Sequence, residues 1–221
     1  METPMIDLEL IKDSIPNLFH GMLVSLEITA VAMTIGLILG SIFALAETSR
    51  SKILCLGIRA YVTFFRGTPM LVQILFVYYV LPEFGLLIAP FWAASLAIGL
   101  NSCAYISQTI RSGIKAVPKG QLEAAHTLGL TPLKTQIYIV FPQAFRVALP
   151  ALANELITLV KDSSLASIIG VMELSKEASV IRSRTYDAFS ILLAISLIYL
   201  TLTTTLSFCL KKYEKRLEKH A

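Results

Sequence analysis

The sequence predicts an all-α polytopic membrane protein, with five transmembrane helices and a short cytoplasmic helix in a single domain, residues 1–221. Three observations predict it. The chain is 55% apolar and only 15% charged, whereas soluble domains are about 45–50% apolar and about 25% charged. The apolar residues fall into long runs, and about 20 of them cross a bilayer. The basic residues fall between those runs in an alternating pattern. One soluble core of this size cannot bury so much apolar surface, so lipid is the solvent.

Each element follows in order. The first residues carry Glu2, Asp7, Glu9 and Asp13 against Lys12. A signal peptide wants a basic start and a short apolar core, so the first apolar run reads as an uncleaved span. That span covers 22–46, with Glu27 its only charge. Gly36 and Gly40 sit four apart in it. Such small-residue pairs let helices approach closely, though glycine is also common in spans that use it for nothing. Span two covers 61–82, has Arg66 near its start, and ends in the turn Leu81-Pro82-Glu83-Phe84-Gly85. Span three covers 89–110 and closes at Arg111. Span four covers 143–160, with Arg146 near its start and Pro150 inside. Span five covers 188–210 and has no charged residue.

Five spans put the termini on opposite sides. One set of loops holds Arg50, Lys52, Arg59 and Arg66, then Arg111, Lys115, Lys119, Lys134 and Arg146, then Lys211, Lys212, Lys215, Arg216 and Lys219. The other holds Lys12, Lys161, Lys176, Arg182 and Arg184. Fourteen bases against five place the N-terminus outside and the C-terminus in the cytoplasm. This placement also explains the net charge of +4 without nucleic acid. Cys55, Cys103 and Cys209 are far apart and read as small apolar residues, and His20, His126 and His220 are scattered. Neither set has metal-ligand spacing or the clustering that a membrane enzyme needs. No G-x-x-x-x-G-K-[ST] phosphate loop is present, so ATP, if used, is bound by another chain.

The cytoplasmic stretch 111–142 is the most informative. Gln121 to Leu128 are good helix formers, Gly129 can stop that helix, and Thr131 with Pro132 can start the next one. The result is a short rigid helix tied to two spans. Within it, Glu123-Ala124-Ala125, Gly129 and Ile139-x-Phe141-Pro142 resemble the EAA loop of ABC importer permeases. The spacing matches throughout, and Phe141 stands where leucine is usual. Phe65-Arg66-Gly67-Thr68-Pro69 through Gln73, the stretch 101–114 and Lys161-Asp162-Ser163-Ser164 resemble polar amino acid permeases of the histidine, glutamine and arginine type. Gln108 departs from those relatives, which often carry glutamate there.

The resemblance implies the type I ABC importer permease fold in a bacterial cytoplasmic (inner) membrane. It implies that Glu123, Ala124, Ala125 and Gly129 seat in a groove on an ATP-binding subunit. It also implies two such subunits, which bind ATP and Mg. A second permease copy or a related permease, and an extracytoplasmic solute-binding protein, complete the assembly. No cofactor is expected in this chain, and no catalytic or metal-binding residue.

Polar groups at membrane depth mark candidate substrate contacts. Glu155, beside Asn154, can reach outer water, pair within the bundle, or attract a cationic group on a solute. Lys161 and Asp162 read as an interfacial ion pair, while Ser163, Ser164 and Ser167 offer hydroxyls for a carboxylate. Thr68 and Gln73 stand at what is either a plain helix start or a broken-helix entrance to a cavity. The expected solute is a polar, basic-leaning amino acid. The alternatives are another small polar solute, or a secondary transporter or channel that needs no ATPase.

Overall fold

The structure is a computed structural model that describes residues 6–49 and 51–218. Glu2, Arg50, Lys219 and His220 of the sequence argument lie outside the described residues. All regular structure among the described residues is helical. Helix α1 spans Leu8–Ala46, α2 Lys52–Gly67, α3 Met70–Leu75, α4 Pro90–Ala116 and α5 Lys119–Thr127. Then come α6 Pro132–Thr135, α7 Phe141–Asp162, α8 Leu174–Thr185 and α9 Ala188–Glu218. Helix α3 runs on through a π turn, Phe76–Val80, and a 3₁₀ turn, Leu81–Phe84. A second π turn, Gln136–Val140, joins α6 to α7.

The first helix is 39 residues long and begins well before residue 22. Asp7 caps it by accepting from the Leu10 N–H at 2.9 Å, and Pro16 lies within it. The acidic segment before the apolar run is thus the first turns of the same helix. Span four is likewise one part of a longer helical run, 132–169. The expected second span is a bent pair: α2 and the α3 segment meet at 106°. Length and composition alone allow Leu8–Ala46, Pro132–Ile169 and Ala188–Glu214 to cross a membrane, with the bent pair a fourth candidate.

Helix α4 is the centre of the fold. It packs along α1 and α7 and carries buried Ser95, Asn101, Ser102 and Ser107 among its alanines. Glycines permit the α1–α4 approach. A Cβ on Gly36 would stand 2.9 Å from the Ser102 Oγ, and one on Gly40 would stand 2.8 Å from the Ile106 Cγ2. The small-residue pair of α1 is therefore a true helix contact. Gly113 does the same for α7, where a Cβ would run into the Ala144 backbone. Ile28, Ile74, Ile98 and Leu159 fill the main core.

Candidate functional site

Glu155 lies in the middle of α7, on the face turned to α4. The Ser102 hydroxyl donates to its Oε1 at 2.7 Å. The Gly36 surface of α1 closes the back of Ser102. Three helices thus fix one half-buried carboxylate, which keeps one edge open. No base lies within salt-bridge distance of this carboxylate among the described residues. Its neighbour Asn154 is exposed on the adjoining face.

The other expected contacts separate from this centre. Ser163 is fully buried and donates to the Val160 carbonyl at 2.8 Å. It caps the end of α7 and offers no free hydroxyl. Ser164 is half-buried on the 3₁₀ turn Ser163–Ile169.

Thr68 and Gln73 sit at the helix break. The chain leaves α2 at Gly67, and Pro69 has no N–H to continue it. The freed carbonyls are taken up by side chains. The Gln73 Nε2 donates to the Phe65 carbonyl at 2.9 Å and the Thr68 Oγ1 at 2.7 Å. The Asn101 Nδ2 donates to the same Phe65 carbonyl at 3.0 Å and to the Gln73 Oε1 at 2.9 Å. Gln73 is 6% exposed. Of the two expectations for this segment, the broken helix is what forms. Gln73 serves it as a brace, with both ends of its amide occupied, rather than as a group open to a solute.

Two further carboxylates carry structure that sequence reasoning missed. Glu47, just past α1, has a side chain only 1% exposed. Arg111 pairs with its Oε1 at 3.0 Å and Arg59 at 3.2 Å, while the Gln108 Nε2 donates to its Oε2 at 3.3 Å. Gln108 thus sits between Glu47 and Arg111, and an added carboxylate there would face Glu47 directly. Glu173, fully buried, caps α8 by accepting from the backbone of Lys176 at 2.8 Å and Ser175 at 2.9 Å. The hydroxyls of Tyr199 and Ser25 donate to it at 3.2 and 3.3 Å. It ties α1, α8 and α9 together. Burial pushes its carboxyl up, against the pull of these hydrogen bonds.

The loop helix α5 ends as its glycine foretold. Gly129 has φ +73°, its N–H donates to the His126 carbonyl at 2.9 Å, and the Leu130 N–H reaches the Ala125 carbonyl at 3.1 Å. This is a Schellman ending. Thr131 caps α6 through the Lys134 N–H at 3.4 Å. Glu123, Ala124 and Gly129 face outward, while Ala125 is 3% exposed and turned towards its own chain. Leu122 packs against the small cluster of Val117, Val140 and Ala144, so α5 is held chiefly against the π turn Gln136–Val140 between α6 and α7. Around the outward face, Leu128 is 80% and Leu133 69% exposed. Exposed apolar side chains thus stand beside an exposed acid on this face.

A bundle of long apolar helices that carries a short outward-facing loop helix has the architecture of a membrane-embedded subunit. Residues 36–219 match the family described as "Binding-protein-dependent transport system inner membrane component", and the chain belongs to that family. Among curated relatives it is 39% identical over 207 residues to the arginine transport system permease protein ArtQ of Bacillus subtilis (strain 168), covering 93% of this chain and 94% of that one. It is 39% identical over 206 residues to the L-cystine transport system permease protein TcyB of the same organism, covering 93% and 88%. A solved structure described as an amino acid ABC transporter with histidines superposes with a TM-score of 0.88 at 39% identity, covering 96% of this chain and 99% of that one. The chain is thus a transport subunit and not an enzyme, and in this family ATP hydrolysis resides on separate subunits.

Proposed function

We propose that the chain is the permease subunit of an ATP-driven importer of polar amino acids, basic ones in particular. The observation that carries the basic preference is the Glu155 carboxylate, held by Ser102 at the junction of α1, α4 and α7 with one edge open. Relatives named for arginine, cystine and glutamine transport support the wider class. In this reading the chain crosses the bacterial cytoplasmic membrane five times, with α2 and the α3 segment forming one broken span. The N-terminus is outside and the basic C-terminus is cytoplasmic. It pairs with a second copy or a related permease, and an extracytoplasmic binding protein delivers the solute. Two ATP-binding subunits, which hold ATP and Mg, dock on Glu123, Ala124 and the Gly129 turn. Ala125 supports that surface from behind.

The test is reconstitution of the chain with its ATPase and binding protein in proteoliposomes, with uptake of the twenty amino acids measured one by one. ATP-dependent uptake led by arginine, lysine or histidine is expected. Uptake without ATP, or of no amino acid, overturns the reading. Uptake confined to neutral or acidic amino acids overturns the role of Glu155.

A further inference from the structure

A cavity of about 360 Å³ opens between α4 and α7, on the side of Glu155 that leads towards α5. Arg66, Tyr105, Gln108, Thr109 and Ser112 contribute its polar groups, and Val147, Ala148 and Ala151 of α7 form the facing wall. The cavity begins one helical turn from the Glu155 centre on both helices. Tyr105 follows Ser102 by three residues on α4, and Ala151 precedes Glu155 by four on α7.

Its chemistry is the reverse of the Glu155 centre. Arg66, in the last turn of α2 beside the helix break, holds its guanidinium 5.1 Å from the Tyr105 ring centroid. That contact orients the group while leaving its N–H donors free, since stacking on a ring face uses none of them. Nearby Arg59 and Arg111 are both paired with Glu47, and Gln108 is occupied by Glu47 and Arg111. Among the described residues Arg66 has no carboxylate within 4.0 Å, and the hydroxyls of Tyr105, Thr109 and Ser112 make no hydrogen bond. A guanidinium and three unengaged hydroxyls around one cavity make a carboxylate receptor.

We infer that this cavity is a second substrate station, in which Arg66 and the Tyr105, Thr109 and Ser112 hydroxyls hold the carboxylate of the amino acid. The inference rests on the importer reading. A basic amino acid carries a cation and a carboxylate at opposite ends, and Glu155 and Arg66 present the two complementary charges in sequence along one path. With its cation held at the Glu155 centre, the substrate extends its carboxylate towards α5 into the Arg66 cavity. Small side chains at Ala148 and Ala151 leave the width for that passage.

The experiment uses the purified permease–ATPase complex without nucleotide. Binding of radiolabelled L-arginine is compared with binding of agmatine, its decarboxylated amine, and with the wild-type uptake panel. Arg66→Gln is expected to weaken L-arginine binding about tenfold or more, the scale of one charge-assisted contact, and to leave agmatine binding unchanged. Arg66→Lys keeps the charge without the fork and should fall between. Tyr105→Phe keeps the ring and removes one hydroxyl, so it should weaken L-arginine by a smaller factor and agmatine not at all. Equal L-arginine affinity in wild type and Arg66→Gln overturns the station, and so does a parallel loss of both ligands. If Arg66→Gln does not assemble, the Arg66→Lys and Tyr105→Phe comparisons decide on the same criterion. A wild type that transports basic amino acids while these variants bind them normally refutes the station alone. A wild type that takes up no amino acid refutes the importer reading itself.

Discussion

At the residue scale, a half-buried and a fully buried carboxylate do opposite work. Glu155 has one hydrogen bond and an open edge; Glu173 has four donors and none. Glu155→Gln should raise the KM for a basic amino acid about tenfold or more through loss of a charge-assisted contact, with assembly intact; normal uptake kinetics would remove it from the site. Ser102→Ala should do the same more weakly. Glu173 makes a pH prediction. Its folded-state value lies above the ordinary glutamate value of about 4.3. The native state therefore binds this proton more tightly than the unfolded one. Its contribution is fully present below the ordinary value and is lost as pH rises through the folded value. Melting of the wild type compared with Glu173→Gln across that window should show an acid-side gain in the wild type that the variant lacks. The Glu155 position could be singled out in the sequence because an acid in a span is rare. Its partner Ser102 could not, because a serine on a helix face carries no signal until α4 and α7 are docked.

At the element scale, the break between α2 and α3 shows what a motif can and cannot say. Gly67, Thr68 and Pro69 announced a discontinuity, but not a 106° turn, nor that Gln73 would brace it. That role depends on Asn101, 28 residues away, which no local pattern links to it. Gln73→Ala leaves the Asn101 amide short of a partner and the Phe65 and Thr68 groups less satisfied. It should destabilise the fold by about 2–3 kcal/mol, read as a lower melting temperature. Glycines divide by environment. Gly36→Leu drives a side chain into Ser102 and should abolish folding or transport, whereas Gly67→Ala meets nothing within 4 Å and should be tolerated. The first helix begins before the apolar run because the acids of its first turns are solvated and Asp7 caps it.

At the scale of the whole molecule, the loop around α5 is the most legible part, because its motif is written in consecutive residues. The proposed path is the least legible, because its residues come from four helices. Gly129 offers a test of why a glycine stands there. Nothing lies within 4 Å of its missing Cβ, yet its φ is +73°. If the turn geometry alone matters, Gly129→Asn should keep ATP-coupled uptake, since asparagine tolerates this region, and Gly129→Val should lose it. If both fail, an incoming partner needs the space.

The seating of α5 has a mechanical consequence. Val117, just past α4, and Ala144 of α7 lie in one cluster with Val140, and Leu122 of α5 packs against it, so the loop links the two helices as a crank links two shafts. Those same two shafts carry the two ends of the Ser102–Glu155 bond. Tilting them in unison preserves that bond, and shearing one against the other parts it. The 2.7 Å contact is then a strain gauge placed at the far end of the crank.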